Sequence, residues 1–340
     1  MKGAGALNIY DIAERAGVSI ATVSRVLNNS THVSEATRNR ILAVMDESKY
    51  VPNAFARGLG LNSMKTIGLV CPDAGDPYLA EALKCLESDF RAKGYNCLLV
   101  CTGHDPEGRR KGVREMLDRH VDSMVLMGSS FIEENSEDNA YLRDAAESVP
   151  VFLLNGSYTA PGVYCAVCND SKATEDATEY LYSLGSRRIL FLYHNLNNSG
   201  RRKMDGYRNG LEKAGIPFDP DLAILVKRDN NCISNVRKAL EQLQNRNISY
   251  DAVLTTEDIL AVGVLKYAAC KGIKVPGQLR VIGYNNSLLC NCTEPELSSM
   301  DNKVSRLCEC IVENLTAVMQ GETCEKESVL EAELIPRGTT

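Results

Sequence analysis

Ser19, Ile20, Ala21, Thr22, Ser24, Arg25 and Asn28 place small, polar and basic side chains along a segment whose remaining positions include Val23, Val26 and Leu27. At helical spacing the three apolar residues share one face, so the first set is presented outward. Arg25 can donate two hydrogen bonds to the O6 and N7 atoms of a guanine, and Ile20 and Ala21 can meet a thymine methyl group. The chemistry implied is the reading of base edges by one helix lying in a major groove.

Such a helix needs a scaffold, and the flanking residues supply its signals. Asn8 and Asp11 form a capping box, in which each side chain satisfies the other residue's backbone N–H. Ile9, Ile12, Ala13 and Ala16 then recur at helical spacing, and Gly17 supplies the left-handed residue that stops the helix. Ser19 caps the second helix, and Ser34 caps a third that carries Ile41, Val44 and Met45 on one face. Three short helices with one apolar seam and a glycine turn describe a helix-turn-helix unit; a small bundle that only packs against a neighbour shares this generic pattern. Charge separates the two ends of the chain. Residues 1–62 hold seven Lys/Arg against five Asp/Glu, a balance of +2 within a chain of net charge −6, so the remaining residues carry −8. A basic head on an acidic body suits a protein of which one face meets phosphate.

The string Asn8-Ile-Tyr-Asp-Ile-Ala-Glu-Arg-Ala-Gly-Val-Ser-Ile-Ala-Thr-Val-Ser-Arg-Val-Leu-Asn28, with Val33-Ser34 and Thr37-Arg38, closely resembles the headpiece of LacI/GalR transcriptional regulators. Tyr50-Val-Pro-Asn-Ala-Phe-Ala-Arg-Gly-Leu59 resembles the hinge helix of the same family. The resemblance implies a DNA-binding headpiece over 1–52, a hinge helix over 53–60 and a sensor over 61–340. It adds His32, Ala56 and Leu59 to the DNA contacts, with Leu59 wedging between base pairs from the minor groove. About eight residues cannot hold a helix alone in water, so the hinge is expected to order only when paired with its twin on DNA. A homodimer on a pseudo-palindromic operator follows.

From Lys65 onward short apolar runs alternate with helical patterns in βαβ order. Expected strands are Thr66–Cys71, Cys97–Cys101, Ser123–Met127, Val151–Leu154, Ile189–Tyr193, Ala223–Val226, Ala252–Leu254 and Val281–Tyr284. Helices are expected over Leu79–Lys93, Ala173–Leu184, Met204–Ala214, Val236–Gln244 and Ala261–Lys271. The fold class is α/β: an all-α helix-turn-helix headpiece followed by two parallel-sheet lobes. Thr66-Ile-Gly-Leu-Val, Gly94-Tyr95, Val121-Asp-Ser-Met-Val125, Gly206-Tyr207, Asp258-Ile-Leu-Ala-Val-Gly263, Val281-Ile-Gly-Tyr-Asn285 and Arg337-Gly-Thr339 are similar to the family's sensor, which has the type I periplasmic-binding-protein fold. That fold implies three chain crossings, an N-lobe of about 61–164 and 294–323, and a C-lobe of about 165–293 and 324–340.

By the same resemblance a small effector binds between the lobes, at positions matched by Asp76, Pro77, Tyr78, Asn155, Asn169, Asn197, Ser199, Lys203, Asn230, Glu257, Asp258 and Asn285. Three of these depart from sugar- and purine-binding members. Lys203 stands where Arg is usual, Asn285 where Asp is usual, and Glu257 where Asn is frequent. A lysine offers a point charge in place of a two-pronged donor, and Asn285 lacks the charged acceptor, so the usual hydroxyl clamp is weakened; the signal implied is an anionic or otherwise unusual small molecule, or a co-regulator protein that holds the lobes from outside.

Other chemistries lack their signatures. There is no GxGxxG between a strand and a helix, no GxxxxGK[ST], no HExxH and no GxSxG, and four histidines are spread along the chain. No enzyme activity, cofactor or metal is expected. No run of 18 apolar residues and no export signal occur, so a cytoplasmic location and no membrane span are expected. Thirteen cysteines in that setting read as thiols. Cys165, Cys168, Cys290, Cys292 and Cys324 lie near the expected crossings, where thiolates within reach would bind zinc or form a redox switch; scattered, inert core thiols are the plainer reading. A solute- or partner-binding module on the same sensor fold, without operator-specific regulation, is the alternative function.

Overall fold

The computed structural model describes residues 8–27, 30–50, 63–227, 229 and 231–340. The hinge expected over 53–60, with Ala56 and Leu59, and residues Asn28 and Asn230 lie outside the described residues. A helical head and an α/β body form separate compact units.

The head is three helices: α1 (Ile9–Ala16), α2 (Ile20–Leu27) and α3 (Glu35–Glu47). Asn8 Oδ1 accepts from the backbone N–H groups of Tyr10 and Asp11 at 2.8 and 3.2 Å, while Asp11 Oδ2 accepts from Asn8 N at 2.8 Å. Gly17 ends α1 at φ 63°, and its N–H donates to the carbonyls of Ala13 and Glu14. Ser19 Oγ accepts from Thr22 N at 3.2 Å and Ser34 Oγ from Thr37 N at 3.4 Å, so both serines act as caps. Ile12, Ala13, Ala16, Val23, Val26 and Ile41 form the core, with Val44 and Met45 packed against it. Arg38 donates to the carbonyls of Val26 and Ser30, tying α3 to the end of α2.

The body holds two six-stranded sheets. The first runs β11 (Glu327–Leu330), β5 (Val163–Cys168), β4 (Val151–Leu154), β3 (Ser123–Met127), β1 (Thr66–Cys71), β2 (Asn96–Cys101). From β11 through β1 its ladders are parallel, with Ile67 opposite Ser123, Met124 opposite Val151, Val151 opposite Val163 and Glu327 opposite Cys165. The second runs β12 (Glu333–Ile335), β10 (Ser298–Asp301), β9 (Arg280–Tyr284), β8 (Ala252–Thr255), β6 (Ile189–Tyr193), β7 (Ala223–Leu225), parallel except where β12 meets β10. Every residue of β3, β4 and β8 is buried, as expected for strands covered by helices on both faces.

Helices α4 (Pro77–Ala92), α5 (Pro106–Asp118), α6 (Ala140–Ser148) and α11 (Val304–Met319) serve the first lobe; α7 (Asp170–Ser183), α8 (Asn198–Lys213), α9 (Cys232–Asn245) and α10 (Asp258–Lys271) serve the second. Leu86 and Phe90 of α4 share a core with Leu307 and Ile311 of α11 beneath Ile67, Leu69 and Phe152. The chain changes lobe three times, after Cys168, after Asp301 and after Leu330. The expected boundaries at 164/165, 293/294 and 323/324 are therefore corrected: β5 and β11 lie wholly in the first sheet and β10 in the second. Strand β10 escapes notice because Ser298, Ser299 and Asp301 are polar; its two serines are nonetheless fully buried.

Candidate DNA-reading helix and inter-lobe cleft

On α2 the division of faces is the expected one. Val23 and Val26 are buried, Ser19, Ile20, Ala21 and Arg25 are exposed, and Thr22 and Ser24 are half-buried at the edge of that surface. Thr22 Oγ1 lies 2.9 Å from Ser19 Oγ, which fixes both hydroxyls at the N-terminus of the helix. His32, in the turn before α3, is also exposed. The outer face thus presents one guanidinium, hydroxyls and small apolar groups with no bulky side chain on Ala21 to hold a duplex away.

The second site forms where the carboxyl ends of both sheets face each other, as the parallel topology dictates for ligand crevices. An inner cavity of about 110 Å³ is lined from the first lobe by Pro72, Asp76, Tyr78, Ser130 and Asn155, and from the second by His194, Asn197, Ser199, Lys203, Thr256, Glu257 and Asn285. It adjoins an outer hollow of about 610 Å³ that adds Arg109, Glu133, Glu134, Arg201 and Lys227. Arg201 of α8 pairs with Glu134 of the first lobe across this outer hollow.

Local geometry explains how each side chain arrives. Asp76 caps α4 through Leu79 N at 3.0 Å and Asn197 caps α8 through Gly200 N at 3.0 Å, so both helix starts point into the cleft. Asn155 and Asn285 follow β4 and β9 with φ of 61° and 101°, conformations that turn the chain sharply at the strand ends. Helix α8 approaches α7 at Gly206, where an added Cβ would lie 2.0 Å from the Ser171 carbonyl oxygen. That approach lets Thr174 Oγ1 donate to the Lys203 carbonyl at 2.8 Å and seats Lys203 at the cavity floor. Beside it, buried Asp170 accepts from Ser199 Oγ at 2.7 Å, Arg202 Nη2 at 3.1 Å and Tyr284 Oη at 2.6 Å, which orients Ser199.

Two electrostatic features mark the inner cavity. The Lys203 side chain is buried; its Nζ donates to the Thr256 carbonyl at 3.2 Å and lies 3.6 Å from the centroid of the Tyr284 ring. Among the described residues no carboxylate stands within ion-pair distance of it. Glu257 lies instead beside His194, Oε1 at 3.4 Å from Nδ1. In addition, Tyr78 Oη, Ser130 Oγ, Asn155 Oδ1 and Thr256 Oγ1 are buried without a hydrogen-bond partner, and all four residues line the cavity. Burial also pushes the Tyr78 hydroxyl well above the usual tyrosine range, so it stays a neutral donor.

Three expected effector residues sit elsewhere. Asn169 caps α7 through Lys172 N at 3.3 Å and donates to Glu331 Oε1 at 3.0 Å, joining the first and third crossings. Asp258 accepts from Ser287 N, Ser287 Oγ and Ser299 Oγ at 2.7, 2.7 and 2.6 Å and lines only a small neighbouring void, as does Pro77. Sequence reasoning missed His104, Ser129, Ser130, His194, Asn195 and Thr256. Each follows the end of an expected strand by one to three residues, a signal that the crevice rule could have used. The cysteines expected near the crossings do not gather: Cys165 Sγ contacts the Tyr158 backbone, Cys290 packs in the second lobe, and among the described residues no three His, Cys, Asp or Glu side chains converge on a metal position.

The sequence profile of bacterial regulatory proteins of the lacI family matches residues 8–53, and that of periplasmic binding protein-like domains matches 178–340. An HTH-type transcriptional regulator of Lachnoclostridium phytofermentans is 42% identical over 334 residues, covering 98% of this chain and 99% of that protein. Catabolite control protein A of Streptococcus mutans is 32% identical over 342 residues, covering 98% of each. The chain belongs to the LacI family of bacterial regulatory proteins. It is a DNA-binding transcriptional regulator, and α2 is the second helix of its helix-turn-helix. The lac repressor dimer bound to operator and the anti-inducer ONPF shares the fold, with a TM-score of 0.87 at 24% identity over 98% of both chains. A LacI family regulator from Silicibacter pomeroyi gives 0.81 at 26% identity over 98% of this chain and 99% of that one. No described helix of this LacI-family regulator is long and apolar enough to cross a membrane.

Proposed function

We propose that this regulator is a cytoplasmic repressor that binds a pseudo-palindromic operator as a homodimer and is controlled by a small, hydroxyl-rich anion held between its lobes. The observation that carries the reading is the buried Lys203 ammonium with no carboxylate beside it, in a cavity where four further polar atoms lack partners. A buried charge is costly unless paired, and a ligand anion would pair this one. Asn285 in place of an acid removes one negative charge from the lining, while Asp76, Asn197 and Glu257 offer acceptors to hydroxyl groups. The relatives named for transcriptional regulation and the operator-bound lac repressor support the DNA half of the reading. Ser19, Ile20, Ala21, Thr22, Ser24, Arg25, Asn28 and His32 would face the groove, with Ala56 and Leu59 in the minor groove.

The test is an operator-binding titration with the full-length protein and the chain's own upstream DNA. Hexose phosphates and aldonates are compared with the neutral sugars of the same skeleton. The expected result is a shift in operator affinity with an anion and none with its neutral partner; the reverse pattern overturns the ligand class.

A further inference from the structure

Cys71 closes β1 and Cys101 closes β2, neighbouring strands of the first sheet, and their Sγ atoms lie 3.9 Å apart. Both are free thiols, Cys71 buried and Cys101 exposed. The backbone beyond them is already zipped: Thr102 N donates to the Cys71 carbonyl at 2.9 Å and Gly103 N to the Pro72 carbonyl at 3.0 Å. Pro72 and His104, one and three residues further along their strands, line the inner cavity. We propose that Cys71 and Cys101 are an oxidisable pair, modified by hydroperoxides, whose disulfide clamps the two cleft loops that carry Pro72 and His104.

The division of labour follows from exposure. Cys101, open to solvent, attacks one oxygen of hydrogen peroxide as the thiolate; the O–O bond breaks, Cys101 becomes a sulfenic acid, and the departing hydroxide takes up the proton that the Cys101 thiol released and leaves as the first water. Cys71 sulfur then attacks the Cys101 sulfur, the S–OH bond breaks, and the departing hydroxide takes the Cys71 proton as the second water. Two thiols lose two electrons and one hydroperoxide gains them. Burial, and then the neighbouring Cys101, push the Cys71 thiol up to about 12, so it remains a protonated bystander until the sulfenic acid stands beside it. Side-chain rotation has to close the sulfurs to about 2.05 Å, while the strand register, fixed by the ladder, already holds the two residues together.

The test is peptide mapping of the full-length protein after stoichiometric hydrogen peroxide and alkylation. The expected product is a linked pair of peptides holding Cys71 and Cys101, with Cys97, on the same face of β2, still alkylated. Cys101→Ser should leave Cys71 alkylatable, and Cys71→Ser should leave Cys101 trapped as a dimedone adduct. Amide exchange over 72–79 and 102–105 should slow by about threefold or more in the oxidised protein and stay unchanged in Cys101→Ser treated alike. Oxidation of Cys101 to a sulfinic acid or to a disulfide between chains, with Cys71 still alkylatable, overturns the pairing. A Cys71–Cys101 disulfide with unchanged exchange in both loops overturns the clamp.

Discussion

Replacing Lys203 by methionine separates a ligand role from a structural one. The lysine is 6% exposed, and the change removes a hydrogen bond to the Thr256 carbonyl and a cation held against the Tyr284 ring. A desolvated cation–π contact is worth about 2 kcal/mol and a charged hydrogen bond about 1.5–3 kcal/mol. Against this stands the desolvation of the ammonium, several kcal/mol for an ion without a counter-charge. The opposing contributions are of like size, so Lys203→Met should change folding stability by no more than about 1 kcal/mol. With an anionic ligand bound the balance differs. Truncating one partner of a buried charge pair costs about 2–5 kcal/mol, which is about thirty-fold to several thousand-fold in affinity. The assay is fluorescence anisotropy of an operator fragment titrated with ligand, alongside thermal melting; Lys203→Arg keeps the charge and should retain a response. A Lys203→Met protein that melts normally and responds at a ligand concentration within about threefold of wild type would refute the reasoning.

Arg25→Ala should cost about 1–3 kcal/mol of operator affinity and relax preference at one symmetric base pair; an unaltered site in a selection experiment would make Arg25 a phosphate anchor. Leu59→Ala should remove much of the operator kink, and unchanged mobility in a permuted-fragment gel counts against the wedge. Burial raises the Asp258 carboxyl above its usual range against the hydrogen bonds it accepts, so the native protein holds a proton that the unfolded chain has released. Its contribution to stability therefore falls as pH rises from the ordinary carboxylate range through that raised value, and urea midpoints should move in favour of Asp258→Asn over the same span; a constant gap between the two proteins refutes this. Tyr78→Phe deletes a buried hydroxyl that has no partner, so ligand-free stability should hold or rise while the operator response to ligand weakens; a drop in melting temperature with an intact response reverses the assignment.

The head was legible because its signals are local. Asn8 with Asp11, Gly17, Ser19 and Ser34 each act on backbone groups within a few residues, and the apolar seam repeats at one period. In the body most strands that read as apolar runs were found, the exception being β5, whose run Val163–Cys168 follows β4 directly with no helical pattern between them, and strands stabilised by distant partners were not. Ser298 and Ser299 are buried in β10 because Ser298 bonds with Thr340 and the Arg337 N–H while Ser299 donates to Asp258, none of which a short window displays. Helix α11 begins at Lys303 with φ 57° and no side-chain cap, so its start carries no mark. By contrast α5 has Asp105 bonded to Gly108 N with Pro106 at its first turn, a start signal present in the sequence and left unused. The same distinction divides the cleft residues. Asn155 and Asn169 are both asparagines beside strand ends, yet only the first faces the cavity, because Glu331 from the third crossing claims the second.

That division bears on how the cleft can govern DNA binding at all. A ligand shifts an equilibrium only by its difference in affinity for two states, and reversing a 1:99 population needs a preference of about ten-thousand-fold. Contacts to one lobe alone move with that lobe and supply no difference. Lys203, Ser199 and Thr256 belong to the second lobe, and Ser199 and Lys203 are held rigidly there by Asp170 and Thr174. The discriminating contacts must then be those made at the same time to the first lobe, where Tyr78 Oη, Ser130 Oγ and Asn155 Oδ1 are buried without a hydrogen-bond partner. On the proposed reading affinity and control fall on different residues: the second lobe would capture the anion, and the three polar atoms of the first would convert capture into a change of state.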